Sequence, residues 1–181
     1  QDSRVINSAL TAVIEKDPAL VEAFDGLDEK QQIDKLLSLS GDVDIDSFEE
    51  SVMQDTLASF SVIGEIQALN GEQGCQRYII SNCHGPIDMA RAYALFKLCG
   101  WKDKTLSVDI VPLFESINDL HKAGEYMRSF YANPAYKKHL AMRGNRQTIM
   151  LGFSDGTKDG GYLMANWAIY RAKEDLTAIS R

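Results

Sequence analysis

The spacing of apolar residues changes near Gly74. Before it, apolar positions recur every three or four residues, the period of a helix with one buried face. Val5, Ile6, Ala9, Leu10, Val13 and Ile14 form the first such stripe. Ser3 is placed to cap that helix, and Asp17-Pro18 closes it, because the residue before proline is pushed out of the helical region. Asp28 and Gln31 have the spacing of a capping box, opening a helix through Ile33, Leu36 and Leu37 that stops near Gly41. A longer helix follows the acidic run Asp42-Val-Asp-Ile-Asp46, with Phe48, Val52, Phe60, Ile63 and Ile66 as its stripe and Asn70-Gly71 as its stop.

Beyond Gly74, short β-branched and apolar runs alternate with helical stretches. Arg77-Tyr-Ile-Ile-Ser81 reads as a strand, followed by a helix from Pro86 to the Gly100 stop. Leu106 to Phe114 is a second strand, its helix running through Ile117, Leu120 and Met127; Gln147 to Phe153 is a third. Between that third strand and the helix Tyr162 to Ile179 lies Gly152-Phe-Ser-Asp-Gly-Thr-Lys-Asp-Gly-Gly161, which reads as a polar, glycine-rich functional loop. Strands alternating with helices predict parallel βαβ units, and the strand-to-strand steps are of the roughly 30–40 residues that one barrel unit occupies. The expected fold is therefore α/β, predominantly helical overall. A helical region over 1–72 precedes a partial (β/α) barrel of the TIM type over 73–181, with about three βα units and strands near 76–81, 105–114 and 146–153. Three units cannot close a barrel of eight, and the chain opens at Gln1 without an initiator methionine. Both point to a piece of a longer polypeptide.

Composition narrows the function classes. With 45% hydrophobic and 25% charged residues the 181-residue chain has the make-up of a soluble domain. Its net charge of −7 and pI of about 4.9 argue against a nucleic-acid surface or an anionic membrane as partner. An anionic substrate would need local positive charge, from a metal or from Lys158. Cys75, Cys83 and Cys99 have no zinc spacing and cannot all pair, which fits small buried residues in a reducing cytosol better than a redox role for Cys83. No apolar run reaches the roughly 18 residues of a membrane span, and no export leader is evident, so the expected location is cytoplasmic.

In a parallel sheet, the residues just past the strand ends share one rim, where α/β proteins carry their chemistry. Glu115 follows the second strand and Asp155 the third. Two carboxylates with few other protein ligands suit Mg2+ or Mn2+, which keep open octahedral positions for water and substrate oxygens. An acid before a helix is also favoured by the helix dipole alone. Lys158 reads either as an anion contact or as a solvated loop lysine. His84, at the end of the first strand, has the place for an acid or base, although a hydrogen-bonded turn histidine is the commoner case. His121 and His139 are expected at the surface, Trp167 and Tyr170 in the core, and the acidic run as a solvated loop.

Several segments resemble a known family. Val111-Pro-Leu-Phe-Glu-Ser-Ile-Asn-Asp-Leu120 resembles the "VPLFET-x-x-DL" segment of the phosphoenolpyruvate carboxylases. Met150-Leu-Gly-Phe-Ser-Asp-Gly-Thr-Lys-Asp-Gly with the trailing Ala165-Asn-Trp-Ala-Ile-Tyr-Arg-Ala172 resembles their "MLGYSDS-x-KDAG…W-x-LY-x-A". Tyr78-Ile-Ile-Ser81 with Asp88 looks like their "YIIS…SD", and Gln1-Asp-Ser3 like the continuation of "LD-[IV]-RQ-[ED]-S". The similarity runs through the whole chain in order.

The resemblance implies an eight-stranded α/β barrel in a polypeptide several times longer. It also implies conversion of phosphoenolpyruvate and bicarbonate to oxaloacetate and phosphate, the anaplerotic fixation of carbon dioxide that supplies the tricarboxylic acid cycle. Glu115 and Asp155 match the family's two metal-binding carboxylates, and Lys158 matches a motif lysine near the substrate site. The implied chemistry has bicarbonate attack the phosphoryl group, giving carboxyphosphate and an enolate that then attacks carbon dioxide; Mg2+ or Mn2+ stabilises the enolate charge. The family is usually a homotetramer.

The departures matter as well. The family's arginine-bearing glycine loop would begin beyond Arg181, its catalytic histidine lies in an N-terminal region, and the opening arginine would precede Gln1, so the segment alone is expected to be inactive. Ser81-Asn-Cys-His-Gly-Pro-Ile-Asp88 departs from "S-M-x-x-x-x-SD", leaving His84 without a family role, and Phe153 and Gly156 replace a tyrosine and a serine. The rival readings are a non-catalytic interaction or regulatory module on the same partial fold, and another metal–enolate enzyme on a related barrel.

Overall fold

The computed structural model of the chain describes residues 1–21, 24, 26–102 and 104–180. Helices α1 (Ser3–Lys16), α2 (Glu29–Ser38) and α3 (Ser51–Asn70) come first. Then follow β1 (Arg77–Ile80), α4 (Pro86–Leu98), β2 (Asp109–Phe114), α5 (Ile117–Ala132), α6 (Pro134–Met142), β3 (Met150–Leu151), α7 (Phe153–Gly160) and α8 (Tyr162–Ile179). The structure is mostly helical, with a three-stranded parallel sheet in the order β1-β2-β3, compatible with a part of an α/β fold.

Local signals set the helix ends. Asp28 accepts from the Gln31 amide while the Gln31 side chain accepts from the Asp28 amide, a complete capping box. Asp17 ends α1, and Gly71 ends α3 with φ 81°, a conformation that costs glycine little. The α1 cap is Asp2 rather than Ser3; its carboxylate accepts from the Arg4 amide, and Ser3 is the first helical residue. The stripe expected for α3 needs correction too. Phe48 is buried but precedes the helix, Val52 is exposed, and Leu57 joins Phe60 and Ile63 in the core.

Two strands are shorter than their apolar runs. Residues 105–108 do not join β2, because the Gln67 amide of α3 donates to the Ser107 carbonyl at 3.2 Å and the Ser107 hydroxyl donates back to Gln67 at 2.5 Å. A side chain thus satisfies the backbone there in place of a ladder. At β3, the Gln147 side-chain amide donates to the Ile110 and Thr148 carbonyls, both at 2.8 Å, and only Met150 and Leu151 pair with β2. The changeover falls at Pro112, which lacks an amide proton: β1 pairs with β2 as far as Ile80↔Pro112, and β3 pairs from Leu113 onward. On the other side of β1, the first residues form a parallel bridge, Asp2↔Ser81.

One apolar core spans the helices and the sheet. The rings of Phe60 (α3), Tyr78 (β1) and Phe96 (α4) meet with centroids 4.7–5.1 Å apart, and the Trp101 indole donates to the Phe60 carbonyl at 3.0 Å. Helices α1 and α2 pack on α4, and α8 packs along α5. The α8 face that meets α5 is Ala165, Ala168 and Ala172, all buried. Trp167 and Tyr170 lie off that face. They are therefore not core residues; they stay 56% and 53% exposed and stack on each other at 5.7 Å. His139, expected at the surface, is 1% exposed, its ring against Tyr136 and Tyr93, because α6 turns its Tyr136–His139 face inward. His121 is exposed.

Candidate metal centre

The carboxyl ends of the three strands and of the Gln1-Asp2 bridge form one rim. Past β1 the chain runs through Asn82, Cys83 and His84 into α4. Asn82 adopts φ 54°, the left-handed region that asparagine enters more readily than most residues. Past β2, Glu115 precedes Ser116, whose hydroxyl caps α5 by accepting from the Asp119 amide at 3.1 Å. Past β3, Gly152 leads directly into α7, so the expected glycine-rich loop is a two-turn helix. Asp155 sits in its first turn and Lys158 in its last, and Gly161, with φ 80°, separates it from α8.

These glycines serve packing as much as turning. A Cβ at Gly152 would lie 3.0 Å from the Cα of Glu115, and one at Gly156 would lie 3.4 Å from the Glu115 carbonyl oxygen and 3.6 Å from Leu120. Their absent side chains let α7 sit down on the β2–α5 junction. The Gly152 amide donates to the Phe114 carbonyl at 2.8 Å, and Asp159 accepts from the Ile117 amide at 2.9 Å.

This docking brings Glu115 and Asp155 together. The Asp155 carboxyl is held below its ordinary value by Lys158, whose ammonium lies 2.9 Å away. Glu115 also accepts from the Asn82 amide at 2.7 Å. Asp155 and Lys158 are half or more exposed, so their ion pair is solvent-screened and easily opened.

Beside this pair stands a second polar cluster. His84 Nδ1 lies 3.0 Å from Asp119, which is buried and also accepts from the Ser116 hydroxyl at 2.5 Å. The His84 amide donates to Asp88, which also pairs with Arg91 at 2.9 Å. His84 is thus a hydrogen-bonded turn residue. Sequence reasoning passed over Asn82 and Asp119. The Ser116…Asp119 spacing of a cap carried a signal for the second, but nothing local marks the first. Burial pushes the Cys83 thiol up to about 12, which opposes the thiolate a redox role needs.

The donor set has a definite chemical character. Among the described residues, no cluster of three or more His, Cys, Asp or Glu side chains could enclose a metal ion. Two adjoining carboxylates beside open solvent fit a hard cation that keeps several waters, and do not fit a closed site of the zinc type.

The family model for phosphoenolpyruvate carboxylase matches residues 1–181. The chain belongs to the phosphoenolpyruvate carboxylase family. It is 40% identical over 130 residues to the phosphoenolpyruvate carboxylase of Mycobacterium leprae (strain TN), an alignment covering 69% of this chain and 14% of that protein. It is 42% identical over 118 residues to that of Nocardia farcinica (strain IFM 10152), covering 61% of this chain and 13% of that protein. The matched stretch of the chain thus spans only about a seventh of the length of these relatives. The segments that resemble the family carry the rim: Glu115 stands in one, and Asp155 with Lys158 in another. Among the described residues, no helix is long and apolar enough to cross a membrane.

Proposed function

We propose that this chain is an internal segment of a cytoplasmic phosphoenolpyruvate carboxylase, in which a helical region (1–72) precedes three βα units (73–181) of an eight-stranded barrel. The full-length polypeptide, a homotetramer, converts phosphoenolpyruvate and bicarbonate to oxaloacetate and phosphate, and so supplies the tricarboxylic acid cycle. The observation that carries this reading is the close packing of α7, which bears Asp155, on the backbone of Glu115 at the end of β2 in a chain of this family.

Glu115 and Asp155 would hold Mg2+ or Mn2+, which when bound would supply positive charge to offset the negative charge that develops on the substrate's oxygen. The protein groups do the rest. Glu115 is fixed by the Asn82 amide and by α7 docked against its backbone, so it is oriented before any cation arrives. Lys158 keeps Asp155 ionised in the absence of cation, and were Asp155 to hold a metal, the Lys158 ammonium could meet a substrate carboxylate or phosphoryl oxygen instead. Oxaloacetate formation belongs to the full-length polypeptide; this segment supplies the metal-side carboxylates and is inactive by itself.

Titration of the segment with Mn2+, followed by calorimetry, tests the site. Weak binding that is lost in both Glu115→Gln and Asp155→Ala is expected. Equal binding by parent and variants would leave a non-catalytic module on the same fold as the better reading. Oxaloacetate production by the isolated segment would contradict the assignment of turnover to the longer chain.

A further inference from the structure

Resting on the metal reading of Glu115 and Asp155, the structure points to a residue that sets the affinity of the site without touching the cation. We propose that Asn82 is a positioning residue for Glu115, and that its left-handed backbone is the device by which it acts.

At the end of β1, the backbone of Ser81 is committed away from β2: its amide donates to the Gln1 carbonyl at 3.0 Å, and its carbonyl accepts from the Ser3 amide at 3.0 Å. The chain must then leave the sheet and enter α4 at Pro86. Asn82 makes that change of direction with φ 54°. In this conformation both of its backbone groups find partners on other elements. The amide donates to Glu115 Oε1 at 2.7 Å, and the carbonyl accepts from the Ser3 hydroxyl at 2.5 Å. The following residues lock the turn: the Cys83 side chain is buried, and His84 is tied through its amide to Asp88 and through Nδ1 to Asp119. A left-handed residue that is not glycine persists only where its surroundings fix it, and here they fix it from three sides.

The consequence falls on Glu115. A carboxylate on a mobile side chain must be ordered when a cation binds, and that ordering weakens binding. With Oε1 held by a short amide hydrogen bond, Glu115 has less ordering left to undergo when a cation binds. Groups that orient a metal ligand typically account for 10–100-fold in metal affinity. Asparagine suits the position because it tolerates the left-handed region, whereas a β-branched residue strongly resists it.

The experiment uses the full-length protein that contains this segment, with Mn2+ affinity read by electron paramagnetic resonance and folding read by thermal unfolding. Four proteins are compared: parent, Asn82→Val, Asn82→Gly and Glu115→Gln. Asn82→Val is expected to weaken Mn2+ binding by about 10-fold or more. Asn82→Gly, which enters the left-handed region freely, should stay within about 3-fold of the parent. Should the valine variant fail to fold, Asn82→Ala takes its place, with the same direction expected and a smaller loss. Unchanged Mn2+ affinity in a folded valine or alanine variant, alongside weakened binding in Glu115→Gln, overturns the role of Asn82 and leaves the metal site standing. Unchanged affinity in Glu115→Gln overturns the metal reading itself, and this proposal with it.

Discussion

Asp155, in the first turn of α7, is carried next to Glu115 at the end of β2: the glycines flanking the Asp155 turn pack on the Glu115 backbone, and Lys158 binds the Asp155 carboxylate at 2.9 Å. Two acids so close are mutually repulsive unless a cation lies between or beside them. Lys158 fills that need partially, since at 2.9 Å it neutralises Asp155 and leaves Glu115 to the Asn82 amide. A divalent ion would serve both acids. In the full-length protein, Asp155→Ala or Glu115→Gln should lower the rate of oxaloacetate formation by about 100-fold or more, because the several kcal/mol of charge stabilisation lost enter the rate exponentially. Asp155 is exposed, so the melting temperature of its variant should barely move. A variant that loses activity only in step with its folded fraction would remove the case for a direct role.

Gly152 offers a test of the same geometry from the backbone side. An alanine Cβ would lie 3.0 Å from the Glu115 Cα and 3.3 Å from the Phe114 carbonyl oxygen, main-chain atoms at the end of the central strand that cannot step aside cheaply. Removing a glycine ordinarily gains about 0.4–1 kcal/mol through the unfolded chain, but forced overpacking costs about 1–3 kcal/mol, so the clash wins. Denaturant unfolding of Gly152→Ala should show a net loss near 1–2 kcal/mol, and Mn2+ affinity should fall because the displaced atoms belong to Glu115.

Two helical glycines should respond with opposite signs. At Gly124 in α5 a Cβ would meet the Asp175 Cβ at 2.9 Å, where α5 and α8 cross closely. At Gly64 in α3 the nearest atom is the Trp101 ring at 3.6 Å, an ordinary contact distance. Alanine gains about 1 kcal/mol over glycine within a helix. Gly64→Ala should therefore stabilise by roughly 0.5–1 kcal/mol. Gly124→Ala should destabilise by about 1–2 kcal/mol, because α8 must move bodily. Equal shifts in the two unfolding midpoints would mean that α8 does not press on α5 as described.

The sequence is most legible where neighbours along the chain decide the outcome. Asp28 with Gln31, Asp17-Pro18 and Asn70-Gly71 fix helix ends by capping and backbone restriction, and the structure has them there. The succession of strands and helices along the chain follows from alternating patterns, and so does the place of Glu115 just past β2; Asp155 follows β3 as expected but lies in α7, where the pattern reads a loop. Tertiary partners are what the pattern hides. Gly156 and Gly160 look like turn residues, yet they sit in a helix and make room for Glu115, Leu120 and Ile117. Gln147 reads as the first residue of a strand and Gln67 carries no signal at all, yet the side-chain amides of both replace strand partners. Asn82 has no local signature, because its conformation is imposed by Ser3, Glu115 and the locked turn behind it. Trp167 and Tyr170 read as core by residue type and periodicity, but the alanines beside them are what fit the narrow gap to α5.

His139 gives the fold a pH dependence whose sign can be worked out. Burial, and next the nearby Arg143, push its imidazole down to about 4, against smaller opposing effects of Asp109 and a hydrogen bond with the Val108 backbone; Nδ1 has no partner. The native state therefore holds the ring neutral, while the unfolded chain protonates it near the ordinary value of about 6.5. A depressed histidine pKa means that between these two values the unfolded state binds the extra proton. Stability is accordingly full above about pH 6.5 and declines as the pH falls towards about 4. The decline from this group amounts to roughly 3 kcal/mol, since each tenfold difference in proton affinity between the folded and unfolded chain corresponds to about 1.4 kcal/mol. His139→Gln keeps a donor for the Val108 carbonyl but cannot titrate in this range. Unfolding free energies measured from pH 7.5 to 4.5 should fall more steeply in the parent than in the glutamine variant, by close to one proton's worth of slope. Parallel curves would show that the imidazole is already protonated in the native state, or that α6 opens to solvent before the rest of the core.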